Sequence, residues 1–288
     1  MKRLWAFIIS LALLTGLAFL NPTLSVGAST GGAVQKKVQS LKKARNVFSE
    51  ALQAIAYTDK AIVLLSAKKP NTKEALSILK EAETKLERFL STHKNLSMLP
   101  VDQQIVVVSF GGTYSDAKHM LEKARKMLDE GRVQDARYII DQLTDEIDVV
   151  NTYLPIAMYR HVLALATKDI KQGKIKDALA VLALVRGSLV IDKIVIPTPF
   201  LKAEAYIDKA SSQKEKKKAI EFLKEAENQL KLAKLLGYAY DFKDEYASIE
   251  KQIEKLKKAV QEGKSTKSMF TSLKKRVHGL SVKAQKRQ

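Results

Sequence analysis

Asp116, His119 and Glu122 form the strongest candidate group for acid–base or metal chemistry in this sequence. Their spacing of three residues places them on neighbouring faces of a helix. Such a trio can act as a weak metal site or as a proton-sensitive group, although surface helices collect similar neighbours routinely. Because no second histidine stands at ligand spacing, we predict no metal-binding residue and retain the trio as a pH-sensitive group.

A second candidate is a group of aromatic residues near the carboxyl end, Tyr238, Tyr240, Phe242 and Tyr246. Two interpretations stay open for this group. The four rings can line a groove for a small apolar ligand, or they can pin a junction between helices, which is the commoner role of such a cluster.

Other catalytic chemistry has little support in the sequence. There is no cysteine, so disulfides, thiolate nucleophiles and cysteine-bound metals are excluded. The chain has four histidines, which further limits metal and acid–base chemistry. Gly111-Gly112-Thr113 is similar to a phosphate-binding loop, but the further glycines and the lysine that such loops require are absent. The sequence therefore predicts a protein that is not an enzyme, with no catalytic residue and no cofactor.

An internal repeat indicates the elements that would position these side chains. Residues 124–136 return as residues 166–178, an offset of 42 residues. Each copy is typical of a helix that stops at a glycine (Gly131 or Gly173), a short turn and a second helix. Ala124 and Ala166 stand where the two helices would cross. A fixed period of this kind predicts stacked helical hairpins.

Short segments rich in β-branched residues predict a small sheet beside the hairpins. Residues 103–109 and 188–196 are expected to be strands, and the repeat offset indicates a third at 147–153. Residues 33–66 carry one apolar stripe and are expected to form a long helix. The predicted fold class is mainly α, with stacked antiparallel helical hairpins and a small two- to three-stranded β-sheet.

The first 28 residues have the features of a secretory signal peptide. Lys2 and Arg3 precede an apolar run, and small residues follow at Val26-Gly27-Ala28. An uncleaved anchor is the alternative, since an apolar run of seventeen residues lies at the lower limit for spanning a bilayer. We expect cleavage, a mature chain from residue 29 and, in a bacterium, a periplasmic location.

Positive charge is concentrated at the two ends of the chain. The net charge is +19, of which residues 33–69 contribute +6 and residues 251–288 contribute +10. These ends can form a solvated face or give weak attraction to an anionic membrane surface. Nucleic acid is not an expected partner, because aromatics are not interleaved with the lysines. Residues 279–288 are expected to form a frayed basic tail.

Several stretches in order resemble the YfdX family. They are residues 100–108, 153–156, 189–197 and 236–246, together with the two glycine hairpins. The resemblance spans about residues 45–275, within a single domain at 29–288. It implies a secreted, mostly helical protein without an agreed enzymatic activity, a tendency to form homo-oligomers, and a role in acid or other envelope stress.

We expect the oligomeric state of such a protein to depend on pH between about 4 and 7.5, where carboxylates and histidines titrate. The alternative is an adaptor or scaffold similar to tetratricopeptide proteins, which would bind protein or peptide partners in the periplasm. Against it, the tryptophan and tyrosine of that consensus are missing and its usual period is about 34 residues.

Overall fold

The computed structural model describes residues 31–43, 49–93 and 96–287. The predicted signal peptide, residues 1–28, lies outside the described residues. Among the helices that are described, none combines the length and the apolar character needed to cross a lipid bilayer.

The centre of the molecule is an antiparallel sheet in which the strands pair in chain order. β1 (Met98–Val108) pairs with β2 (Glu146–Pro155), and β2 pairs with β3 (Val190–Pro197). A two-residue strand, β4 (Lys286–Arg287), pairs with β3 on the far side. All three predicted strands are therefore confirmed, with shifted ends: β1 begins earlier than residue 103, β2 extends the predicted 147–153 on both sides, and β3 begins at residue 190 instead of 188.

Eleven α-helices account for most of the described chain, which confirms the predicted fold class. Their bounds are α1 Gly31–Lys43, α2 Ser49–Ser66, α3 Thr72–Thr92, α4 Tyr114–Asp129, α5 Val133–Asp141, α6 Ile156–Lys171, α7 Ile175–Gly187, α8 Thr198–Ser211, α9 Lys216–Leu235, α10 Lys243–Glu262 and α11 Lys267–Lys283.

Each of β1, β2 and β3 is followed by a helical hairpin, and the direction of the strands decides where that hairpin lies. β1 ends beside the start of β2, so α4 and α5 lie at that end of the sheet. β2 ends beside the start of β3, so α6 and α7 lie at the opposite end. The two copies of the repeat are therefore separated by the length of the sheet.

Hairpins stack in pairs at each end of the sheet. At one end α2 packs against α7 and α3 against α6, and we call these four helices the first bundle. At the other end α4 packs against α9, and α8 to α11 form what we call the second bundle. This arrangement differs from a tetratricopeptide array, in which each hairpin packs against the next one in the chain.

The repeated glycines end their helices as the sequence predicts. Gly131 has φ of +73° and Gly173 has φ of +75°, a left-handed conformation that costs glycine little. In the first copy the amide of Arg132 donates to the carbonyl of Met127 at 2.8 Å, and the second copy repeats this bond. Ala124 and Ala166 are 1% and 0% exposed, which places both at the helix crossings as predicted.

One face of the sheet carries an apolar patch that packs against α1. Val34, Val38 and Leu41 of α1 pack on this face. The sheet residues on it are Ile105, Ile147, Val149, Ile194 and Ile196. The apolar stripe expected along one helix at residues 33–66 is divided between two helices, because α1 packs on the sheet and α2 packs in the first bundle. Residues 44–48, between these helices, lie outside the described residues.

The other face of the sheet, which we call the open face, is more polar. Glu146 and Asp148 of β2 and Lys193 of β3 lie on it. Val106 and Ile191, on the same face, are 45% and 67% exposed. This face is therefore accessible to water at these two positions, whereas Asp148 and Val195 on it are buried.

The expectation of a frayed tail is wrong for residues 279–287. Helix α11 continues through Gly279 to Lys283, and the chain then adds β4 to the sheet. Leu280 and Ala284 are 0% and 1% exposed in the core of the second bundle. Their burial outweighs the cost of a glycine inside a helix, about 1 kcal/mol.

Candidate functional site

A cleft with a volume of about 980 Å³ lies between α8 and α11. Its floor is formed by Ile207 and Phe270, and its rim is polar. The polar lining residues are Glu204, Asp208, Ser211, Thr266, Lys267, Thr271, Lys274, Lys275 and His278. This combination of an apolar floor with several ionisable groups makes the cleft our candidate site.

Glu204 and His278 face each other across this cleft. Nδ1 of His278 lies 3.3 Å from both carboxylate oxygens of Glu204. The Glu204 side chain is 16% exposed, whereas His278 is 65% exposed. Burial raises the pKa of Glu204 above its usual value, although His278 and Lys274 oppose this effect. Glu204 therefore takes up a proton at a higher pH than an ordinary glutamate.

A second charged contact joins the same two helices. Nζ of Lys274 on α11 donates to Oδ2 of Asp208 on α8 at 2.7 Å, and both side chains are about half exposed. Such an exposed pair contributes about 0–1 kcal/mol and weakens in salt. The packing of α8 against α11 thus combines a buried apolar seam with contacts that respond to pH and ionic strength.

A second polar group lies where β2 begins. Oδ2 of Asp145 accepts a hydrogen bond from Nζ of Lys202 at 2.6 Å, and the two side chains are 1% and 9% exposed. The carbonyl of Asp145 accepts from the amide of Thr198 at 2.9 Å. These bonds fix the start of α8 to the start of β2, so the geometry of the cleft depends on them.

Tyr238 connects this point to the second bundle. Its hydroxyl donates to Oε2 of Glu146 at 2.8 Å and accepts from the amide of Asp145 at 3.2 Å. Burial raises the pKa of Glu146, and the hydrogen bond from Tyr238 only partly offsets this effect. Glu146 is therefore a second carboxylate that becomes protonated early on acidification.

The predicted aromatic cluster does not converge on one groove. Tyr246 is 1% exposed in the core of the second bundle, against which Phe242 and Tyr238 also pack. Tyr240 is 68% exposed, and Nζ of Lys243 lies 4.6 Å from its ring centre. Three of the four rings thus serve the junction between α9 and α10, which agrees with the packing interpretation.

Two members of the predicted Asp116, His119 and Glu122 trio, Asp116 and Glu122, make contacts with residues outside it. Thr113 caps α4 and Asp116 completes the capping box, in which its Oδ2 accepts from the amide and the hydroxyl of Thr113, each at 2.7 Å. These bonds lower the pKa of Asp116. Glu122 lies 3.9 Å from Lys118. Within residues 31–43, 49–93 and 96–287, no cluster of three or more histidine, aspartate or glutamate side chains is arranged to hold a metal ion.

The Glu204–His278 pair was not predicted from the sequence. Its members are 74 residues apart and belong to helices joined through two others. One local signal was present, because Glu204 and Asp208 are four residues apart on one helix face and His278 and Lys274 repeat this spacing on another. This pattern shows that an acidic pair on one helix could face a basic pair on another. It does not identify α8 and α11 as the neighbouring helices.

Together the fold and the site define a class: a mainly helical protein built on an antiparallel meander, with ionisable contacts between its helices. The family model for the YfdX protein matches residues 54–195. Through this region the chain belongs to the YfdX family. The match is narrower than the expected span of residues 45–275, and it ends before α8.

No curated protein matches the chain. Among solved structures, YfdX of Salmonella Typhi is similar over 51% of this chain and 90% of its own, with 16% sequence identity and a TM-score of 0.35.

Proposed function

We propose that this chain is a non-enzymatic periplasmic protein of the YfdX family that self-associates and acts under acid or other envelope stress. The observation that carries the proposal is the position of Glu204. This carboxylate, with its raised pKa, lies at the contact between α8 and α11, next to His278. Mild acid therefore changes charge at a contact between helices.

The sign of this effect follows from linkage. The pKa of Glu204 is higher in the folded state than in the unfolded state. As pH falls toward the ordinary glutamate pKa, the folded protein therefore binds more protons than the unfolded protein. Protonation of Glu204 and Glu146 then favours the folded state over the unfolded state in that window. The fold is thus suited to mild acid at these two positions.

Acid has the opposite effect on association between copies. The net charge is +19 for the whole chain, and +17 without Lys2 and Arg3 of the signal. Protonation of carboxylates and histidines makes a cationic molecule more cationic, so repulsion between copies increases. We expect smaller assemblies at the acidic end of the range from about pH 4 to 7.5.

Light scattering across this pH range tests the assembly part of the proposal. The expected result is a mass that decreases reversibly on acidification, with circular dichroism unchanged. If protonation of Glu204 contributes to the decrease in mass, Glu204→Gln should shift the pH midpoint of that decrease. A wild-type mass that stays constant from neutral to acidic pH would refute pH-linked assembly.

Two further experiments test location and surface attraction. Intact-mass measurement on a periplasmic extract should find a chain that begins at or near Ser29, and retention of Met1 in a membrane fraction would contradict this. Anionic vesicles should bind the purified protein weakly at low salt and release it at high salt, because charges are screened beyond about 8–10 Å. Binding that persists in high salt would contradict an electrostatic origin.

A further inference from the structure

The first strand of the sheet, β1, is an edge strand with an unusual composition. In the sheet order β1-β2-β3-β4 it has a neighbour on one side, and no described strand pairs with its other side. An edge of this kind presents backbone donors and acceptors that are suited to another strand. The opposite edge is different, because β4 covers part of β3 there.

Proteins usually protect such edges, and β1 does so along half of its length. Pro100 and a register shift between Pro100 and Asp102 interrupt the early part of the strand. Residues 103–108, Gln-Gln-Ile-Val-Val-Val, contain no charge, no proline and no glycine. Val106 and Val107 are 45% and 46% exposed there. This second half is therefore an unprotected, β-prone edge.

We propose that residues 103–108 form the contact between two copies of this chain, with β1 of one copy pairing antiparallel with β1 of the other. This inference rests on the proposed self-association and assigns a surface to it. Pairing about a two-fold axis satisfies the outer backbone groups of both strands and joins two sheets into one.

Charge favours a second copy at this surface. The chain carries 50 lysines and arginines against 31 aspartates and glutamates, so most surfaces of two copies repel each other. Residues 98–110 contain no lysine or arginine, and Asp102 is their one charged residue. A register centred on Ile105 places Asp102 opposite Val108 of the partner subunit. No like charges then oppose each other across the contact.

A pair of lysine variants tests the contact in the full mature chain. Val106→Lys adds a charge at the β1 edge, whereas Ile191→Lys adds the same charge on the open face of β3 at a residue that is 67% exposed. We expect Val106→Lys to raise the dissociation constant at least about tenfold, because like charges oppose each other across an interface. Ile191→Lys should leave the constant within about threefold of wild type, since exposed charges away from the contact are largely screened.

Crosslinking gives a readout that does not depend on repulsion, because the chain contains no cysteine. Copies that carry Val106→Cys should be joined by a short thiol crosslinker, since diagonal neighbours on paired strands are about 7–8 Å apart. Copies that carry Ile191→Cys should not, because five strand spacings of about 4.8 Å separate the two β3 strands. Hydrogen exchange of residues 103–108 should slow as protein concentration rises.

The possible outcomes separate this inference from the proposed function. If the wild type assembles but Val106→Lys assembles equally well and Val106→Cys does not crosslink, the β1 contact is wrong and self-association stands. If Ile191→Lys dissociates the assembly as strongly as Val106→Lys, the effect is general repulsion and the β1 contact is again refuted. A wild type that is monomeric at every concentration and pH overturns both proposals. Protection of residues 103–108 that does not depend on concentration would show that the chain itself covers the edge.

Discussion

The two ends of the sheet carry helical bundles that are held together differently. In the first bundle, the described charged contacts between helices are exposed and long, such as 3.6 Å for Lys60–Glu74 and 3.8 Å for Arg160–Glu87. Its buried polar contact is neutral, since the Tyr159 hydroxyl lies 2.6 Å from that of Thr58. Apolar packing therefore dominates this end.

In the second bundle, lysines and carboxylates join the helices directly. Glu227 on α9 pairs with Lys257 on α10, and Glu245 on α10 lies 2.8 Å from Lys283 on α11. The Lys257 side chain is 14% exposed, so this contact is partly shielded from water. Changes of pH and salt should therefore act on the second bundle more than on the first.

The two bundles also differ in whether the family model covers them. The region that matches the YfdX family, residues 54–195, contains most of the first bundle, β1, β2, most of β3, and α4 and α5. The helices α8 to α11 lie beyond it. Residues 251–288, which contribute +10 of the net charge, also lie beyond the match. The response to pH is thus expected mainly in the part that lies outside the family match.

The largest effect should come from a cavity in either core. Leu163→Ala in the first bundle and Leu230→Ala in the second, both 0% exposed, should each lower the free energy of unfolding by about 2–5 kcal/mol. Urea unfolding followed by circular dichroism measures this. The two variants should differ in their response to salt, with Leu230→Ala the more sensitive. Equal responses would contradict the contrast between the bundles.

Overpacking at the hairpin crossings should come next. Ala166→Leu and Ala124→Leu introduce three carbon atoms at sites that are 0% and 1% exposed, so each should cost about 1–3 kcal/mol. Ala157→Leu, at an exposed position of α6, is the control and should change stability by less than about 0.5 kcal/mol. A neutral result for Ala166→Leu would mean that the crossing has room for a larger side chain.

Removing the charge of Glu227 should have a smaller effect that depends on pH. Burial alone would raise the pKa of Glu227, but hydrogen bonds from Lys231 and Lys257 outweigh burial and lower it. A lowered folded pKa contributes stability above the ordinary glutamate pKa and loses it as pH falls through the folded value. Glu227→Gln should therefore cost about 1 kcal/mol at pH 7, after allowance for partial exposure, and little at pH 3.

The control for that variant lies in the first bundle. Glu87→Gln removes an exposed carboxylate 3.8 Å from Arg160, and its effect should stay below about 0.5 kcal/mol at either pH. Thermal unfolding of both variants at pH 7 and pH 3 provides the measurement. If Glu87→Gln matched Glu227→Gln, the two bundles would not differ in their charged contacts.

The smallest effect, with the opposite sign, is expected at Glu204. Because burial raises the pKa of this residue, its charged form weakens the folded state at pH 7. Glu204→Gln should therefore be neutral or stabilising by up to about 0.5 kcal/mol at pH 7. The difference should vanish as pH falls below the ordinary glutamate pKa, where both states are protonated. A clear loss of stability at pH 7 would mean that the contact with His278 outweighs the burial of Glu204.

The hairpins and strands could be predicted because their signals are local. A glycine that follows a helix needs only its own turn to reach the left-handed conformation, as at Gly131 and Gly173. Gly279 is also a glycine near the end of a predicted helix, but the burial of Leu280 keeps it within α11. The sequence did not predict which hairpins pack against each other, because this depends on the direction of each strand. The cleft between α8 and α11 was missed for the same reason.

The alternation of hairpins along the sheet gives the architecture a parity. Each unit of one hairpin and one strand carries the chain across the sheet once, so the next hairpin emerges at the opposite end. Duplication of one 42-residue unit would therefore send every later helix to the wrong end, and α8 to α11 would meet the first bundle. Duplication of two units would return them to their own side. Lengthening of this fold is therefore constrained to even numbers of units, whatever the sequence of each unit.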